Sequence, residues 1–322
     1  MMSAAILNFS KQLDYRPTVE NAKKLKKYDS YILLGMGGSH LPADLALLWK
    51  PELSLRVHSD YGLPAGSAAE KRPLIIACSY SGNTEEVIDG LKLAMKRKLP
   101  AAVIAVGGAL IAYAQKNQLP YVQIPNTGIQ PRSALGFSFR ALLAILDDEG
   151  GLRECAKLAK KIRPADFELI GKTLAKKLNG FVPVIYASRR NFTIAWNWKI
   201  KLNETGKIPA FYNLLPEMNH NEMNGFDIVP ATRALSERFY FIILKDKTDH
   251  PRIQKRMDIL EKLYSERRLP VFVETLAGQS PLEKVFSSLL LADWVSVYTA
   301  ENYGLDSEQV PMVEEFKKMM GK

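Results

Sequence analysis

Along the first half of the chain, short apolar runs are separated by longer stretches with helical spacing. SYILLGM at 30–36, LSLRVHS at 53–59, PLIIACS at 73–79, AAVIAVGG at 101–108 and PYVQIP at 120–125 predict strands. Apolar runs of this length suit strands buried on both faces of a parallel sheet. Between them, 41–49, 83–98 and 109–117 carry apolar residues at helical spacing, and 132–146 predicts a longer helix. Strand–helix alternation of this kind predicts an open, mainly parallel sheet flanked by helices.

The acidic stop DDEGG at 147–151 breaks the pattern, since paired glycines punctuate structure. Helical stretches cover 152–178, and then the alternation restarts. Strands are predicted at 182–188, 210–215, 238–244 and 269–276, with helices up to 203, over 250–266, from 282 onward and over 312–319. The expectation is an α/β protein of two tandem units, 1–150 and 151–322, alike in architecture but without a residue-level repeat.

Composition narrows the classes. With 322 residues, 47% apolar and 24% charged, the chain is long enough for two packed cores. No apolar run reaches the roughly 20 residues that cross a bilayer, and MMSAAILNFSKQLDYRP has no basic region before its apolar stretch. No membrane association and a cytoplasmic address are therefore expected. The 2 cysteines, Cys78 and Cys155, fit a reducing compartment. None of the 4 histidines lies at a short ligand spacing from another and no CxxC occurs, so no metal site is predicted. The net charge of +10 is spread over helix faces such as KKLKKY and AKLAKKIR, without the interleaved aromatics of a single-strand platform. That distribution points away from nucleic acid and leaves a field that attracts small anions.

Two stretches sit where strands pass into helices. In LLGMGGSH, Gly37, Gly38 and Ser39 allow the backbone close to a ligand and aim amides at an anion. A dinucleotide fingerprint would need glycine where His40 stands. In IIACSYSGNTEEV, the hydroxyls of Ser79, Ser81 and Thr84 straddle the turn, a spacing that surrounds one phosphate at a helix N-terminus. Asn83 with Glu86 three residues on also reads as an N-cap, and the two readings are compatible.

The pair GMGGS and SYSGNT resembles the sugar-isomerase (SIS) domain, which binds phosphosugars. With PNTGIQPRSALG, WKIKLNETGKIPAFYNLLPEMNHNEMNGF and the C-terminal PMVEEFKKMMGK, the chain from about 31 to 317 resembles the bifunctional phosphoglucose/phosphomannose isomerases of archaea and some bacteria. The resemblance implies two SIS-type domains, phosphate held by Ser79, Ser81 and Thr84, and a sugar site lined by Gly37, Gly38 and Ser39. It further implies Glu204 as general base, His220 as the group that protonates the ring oxygen, Lys317 as its helper and Arg132 as stabiliser of the enediolate. No cofactor is implied, and a homodimer is, with the histidine crossing from the partner. Lys318 adjoins Lys317 and shares its claim. Val310 stands where dual-activity relatives carry threonine, which bears on substrate breadth rather than on the chemistry.

Two other classes stay open at this point. A phosphosugar-binding regulator would keep the hydroxyl loop and need no base. An aminosugar-phosphate isomerase would share the domain but use an ammonia- or glutamine-handling segment.

Overall fold

The apolar runs are strands because only a sheet covered on both faces can bury them while pairing every backbone amide. A computed structural model describes residues 2–67 and 73–321. Two short helices open the chain, α1 (Met2–Leu7) and α2 (Phe9–Asp14), which the sequence pattern did not predict. They belong to different compact units: Asn8–Ile162 forms one, and Met1–Leu7 with Arg163–Lys322 forms the other.

In the first unit, β1 (Ser30–Leu34), β2 (Leu55–His58), β3 (Pro73–Cys78), β4 (Ala101–Ala105) and β5 (Tyr121–Gln123) make a parallel sheet of order β2-β1-β3-β4-β5. Every residue of β3 and β4 is buried. Helices α3 (Leu41–Trp49), α4 (Glu85–Lys96), α5 (Gly108–Lys116) and α6 (Leu135–Ile145) connect and cover the strands. The predicted helix over 132–146 is thus shorter. Pro131–Ser133 is a separate 3₁₀ turn, and Arg132 lies on it.

Helix α7 (Glu149–Lys161) also packs in this unit, so the chain changes unit after Ile162 rather than at the glycine pair. The reason is local. Arg140 on α6 donates to the carbonyls of Leu13 at 2.6 Å and Leu152 at 2.9 Å, tying α2, α6 and α7 together. Lys50 pairs with Asp148, whose carboxylate caps α7 at the Gly151 amide. Gly151 itself abuts Trp49, where an added Cβ would lie 2.8 Å from the ring.

The second unit carries α8 (Glu168–Lys177), β6 (Val182–Ser188), α9 (Phe192–Glu204), β7 (Phe211–Leu215), the short α10 (Arg233–Ser236), β8 (Phe239–Asp246), α11 (Pro251–Glu266), β9 (Val271–Leu276), α12 (Pro281–Asn302) and α13 (Pro311–Met319). Its parallel sheet has order β7-β6-β8-β9. The long α12 is the core helix, with Trp294, Val295 and Ala292 buried and α1, α8 and α9 packed against it. Gly171 of α8 permits that approach, since a Cβ there would fall 2.5 Å from the Trp294 Cβ. A buried Lys201–Asp293 ion pair joins α9 to α12. No described helix is long and apolar enough to cross a membrane.

Candidate active site

The first sheet sends the chain from β1 outward to β2 and back to β3 on the other side. The loops after β1 and β3 therefore diverge and leave a crevice at the carboxyl edge, the usual ligand position in open α/β sheets. The GMGGS and SYSGNT stretches lie in these two loops. After β1, Gly37 adopts φ 53° and opens the 3₁₀ turn Gly37–Ser39 that leads into α3. After β3, the Ser79 and Thr84 hydroxyl oxygens are 2.7 Å apart, and Ser79 Oγ accepts from the Gly82 amide at 3.1 Å. Ser81 Oγ accepts from the Asn83 amide at 3.2 Å. The loops are coupled: the Tyr80 amide donates to Ser39 Oγ at 3.0 Å.

Gly82 is the steric key to this loop. Its φ is 74°, and a Cβ would stand 1.9 Å from the Gly107 carbonyl oxygen. Asn83 does not cap α4. Its Oδ1 accepts instead from the Ala109 amide at 2.9 Å, clamping the loop to the start of α5. Thr84 holds the N-cap position without a capping bond, its hydroxyl being turned to Ser79. The Ser79 and Thr84 hydroxyls thus lie together at the start of α4, and hydroxyls at a helix N-terminus are a chemistry suited to a dianion. Burial pushes the neighbouring Cys78 thiol up to about 12, so no thiolate competes there at neutral pH.

The turn that carries Arg132 packs against the Gly37–Ser39 loop. Arg132 is only 3% exposed, and its backbone faces Gly38, where an added Cβ would lie 3.5 Å from the Arg132 nitrogen. The turn is held by a residue from far away in sequence. The Gln12 carboxamide, buried on α2, donates to the Ser133 carbonyl at 2.7 Å and accepts from the Gly136 amide at 3.1 Å. No motif marks Gln12. Nor did the sequence mark His40 for more than its mismatch to a nucleotide loop, yet its Nδ1 lies 2.5 Å from Asp44 Oδ2 at the start of α3. The i,i+4 spacing of that pair was the available signal. Within Asn8–Ile162, then, Gly37, Gly38, Ser39, Ser79, Ser81, Thr84 and Arg132 converge on the β1/β3 edge.

Glu204, His220 and Lys317 belong to the second unit. Glu204 is the last residue of α9 and half-buried. Lys207 Nζ donates to the Glu204 carbonyl at 2.5 Å and also to the Gln309 carbonyl, linking the end of α9 to the segment that enters α13. Lys317 lies exposed on α13 and pairs with Glu314 at 2.8 Å. His220 is exposed on the 3₁₀ turn Glu217–His220, which follows β7. Helix α9 has 13 residues and so is about 20 Å long. It runs from the carboxyl edge of β6 down to the amino edge of β7, and β7 then climbs back before His220 is reached. Glu204 and His220 therefore sit at opposite edges of one sheet. The unit ties Glu204 to the segment that enters α13 and keeps His220 apart from Glu204.

Residues 168–320 match the family model described as the bacterial phospho-glucose isomerase C-terminal SIS domain. A bifunctional phosphoglucose/phosphomannose isomerase of Aquifex aeolicus is 32% identical over 94% of this chain and 93% of its own length. A D-glucosamine-6-phosphate 4-epimerase of Sulfolobus acidocaldarius is 26% identical over 94% and 90%. Among solved structures, a hypothetical protein of Thermus thermophilus superposes with a TM-score of 0.73 at 18% identity, covering 98% of this chain and 89% of that one. That last likeness supports the fold, two parallel sheets flanked by helices, as expected from the strand–helix alternation.

Proposed function

Because this chain belongs to the bifunctional phosphoglucose/phosphomannose isomerase family, we propose that it interconverts glucose 6-phosphate and mannose 6-phosphate with fructose 6-phosphate through a cis-enediolate. The carrying observation is the cluster of Ser79 and Thr84 hydroxyls where β3 passes into α4, with the buried Arg132 turn packed on the neighbouring Gly37–Ser39 loop. Ser79, Ser81 and Thr84 anchor the phosphate there, far from the reacting carbons, and Gly37, Gly38 and Ser39 line the sugar. Glu204 moves the proton between carbons 1 and 2, while Arg132, always cationic, offsets charge on the enediolate oxygens. His220 protonates the ring oxygen and Lys317 assists ring opening. Every step is served by a side chain, so no cofactor enters the scheme.

On this reading the N-terminal domain is the phosphosugar-binding part. The separation of Glu204 from His220 across one sheet supports a homodimer in which each chain lends His220 to its partner's site. A cytoplasmic role in glycolysis and gluconeogenesis follows from this substrate pair. The second reading is an aminosugar 6-phosphate substrate, favoured by the likeness to the epimerase.

The test is a coupled assay on fructose 6-phosphate with EDTA present, following glucose 6-phosphate and mannose 6-phosphate separately, alongside glucosamine 6-phosphate. Both neutral sugar phosphates are expected to form, and glucosamine 6-phosphate to remain unchanged. Turnover of the aminosugar alone would move the assignment to the second reading, and zinc-dependent turnover would overturn the scheme.

A further inference from the structure

The segment that carries His220 is irregular, two 3₁₀ turns in succession, Glu217–His220 and Glu222–Phe226. An acid that must meet a ring oxygen needs its position fixed to a fraction of an ångström. The loop is held on either side of the histidine. Two residues before it, Met218 is 0% exposed in the core formed with Tyr186, Phe241 and Tyr264. Further on, the Phe226 ring packs edge-on against Phe241, with centroids 4.8 Å apart.

Two residues after His220 comes a polar anchor. Glu222 Oε1 accepts from the Tyr186 hydroxyl at 2.6 Å, and Oε2 accepts from the Asn213 carboxamide. Tyr186 and Asn213 are register partners on adjacent strands β6 and β7, so both donors come from one rigid surface. Tyr186 is fully buried, and burial together with the neighbouring Tyr264 and Glu222 raises its pKa well above the ordinary phenol value, keeping it a donor. Asn221 closes the link: its Nδ2 donates to Glu217 Oε1 at 3.1 Å across the histidine, and its Oδ1 accepts from the Glu222 amide at 2.5 Å.

Packing alone would be met by a leucine or methionine at 222. A carboxylate on two directional donors fixes the rotation of the chain as well as its depth, at the desolvation cost of a partly buried charge. We propose that Glu222 is a positioning residue for the reaction, acting through His220 by locking the loop to β6 and β7. This rests on the reading of His220 as the ring-opening acid.

A double-mutant cycle separates the two ideas. His220→Ala, Glu222→Gln, the double variant and Tyr186→Phe are assayed for kcat and KM on fructose 6-phosphate, with melting temperatures recorded. His220→Ala should lower kcat about 100-fold. Glu222→Gln keeps shape but turns an amide N–H toward one of the two donors. It should lower kcat roughly 10- to 100-fold with KM within about twofold, as expected for a misplaced acid and an intact phosphate anchor. The double variant should be no slower than His220→Ala alone. Tyr186→Phe removes one of the two bonds and should show a weaker form of the same pattern; it carries the test if Glu222→Gln does not fold. Wild-type kcat in Glu222→Gln and Tyr186→Phe beside a slow His220→Ala overturns the positioning role and leaves His220 standing. Losses that multiply in the double variant also overturn it, since Glu222 would then act on something other than His220. A fast His220→Ala removes the histidine's role and this proposal together.

Discussion

At the scale of residues, the proposed phosphate cradle depends on atoms that are absent as much as on hydroxyls that are present. Gly82 holds a left-handed φ and lets the loop touch the Gly107 carbonyl, so the Ser79–Thr84 contact can form only if position 82 has no side chain. Gly82→Ala adds a left-handed strain of about 1–2 kcal/mol and a contact that forces the loop from α5. The expected outcome is a KM for fructose 6-phosphate raised at least about tenfold with a lowered melting temperature, because about 1.4 kcal/mol of lost binding is already a factor of ten. An unchanged KM would show that the phosphate is held elsewhere. The hydroxyls and glycines of this loop were legible in the sequence, because their spacing relative to one strand end is local. Gln12 was not. Its role comes from packing against a turn more than a hundred positions away, with no pattern of its own.

At the scale of elements, most strands and helices were legible because burial on both faces leaves apolar runs. The short α1 and α2 were missed, being six residues each and held by tertiary contacts rather than by their own propensity. Strand β9 hides a different feature. VFVETL reads as an ordinary strand, yet Glu274 Oε2 is buried with no hydrogen-bond partner among the described residues. It points toward α12, where Ser288 accepts from Trp198 Nε1 at 3.0 Å. Burial pushes its carboxyl up to about 8, the Ser288 hydroxyl offsetting only part. In the unfolded chain it titrates near 4.5, so between about 4.5 and 8 the folded protein keeps a proton that the unfolded chain has lost. This group's contribution to stability is therefore fully present below pH 4.5 and falls as pH rises to 8, by at most about 1.4 kcal/mol per pH unit. Glu274→Gln removes that dependence. Its stability advantage over wild type, read from denaturant midpoints, should be small at pH 4.5 and grow steadily to pH 8. A difference that is flat with pH would contradict the buried-acid account.

At the scale of the whole molecule, the two units repeat one topology and put it to different uses. Both sheets reverse direction next to their first strand, and both therefore have a crevice at the carboxyl edge. In the first, the Ser79 and Thr84 hydroxyls meet there at the start of α4. In the second, Lys284 Nζ lies 2.8 and 2.9 Å from the two Asp246 oxygens, and Ser188 and Asn191 bond to Asp249 and Asp246, filling the position with the protein's own charges. Sequence alone shows the repetition of strands and not this difference, because the filling side chains come from separate elements. The proposed mechanism rests on proton transfer by Glu204 and on a single enediolate between both aldoses. Its most direct test is conversion of fructose 6-phosphate in D₂O, with the products resolved by NMR, for wild type and Glu204→Gln. The mechanism predicts that deuterium accumulates at carbon 2 of both glucose 6-phosphate and mannose 6-phosphate over repeated turnovers, as the proton held by Glu204 exchanges with solvent. It also predicts that Glu204→Gln slows the two products together by about 100-fold or more. Products that stay unlabelled over many turnovers, a mannose 6-phosphate that never forms, or a variant keeping more than about a tenth of the wild-type rate would contradict it.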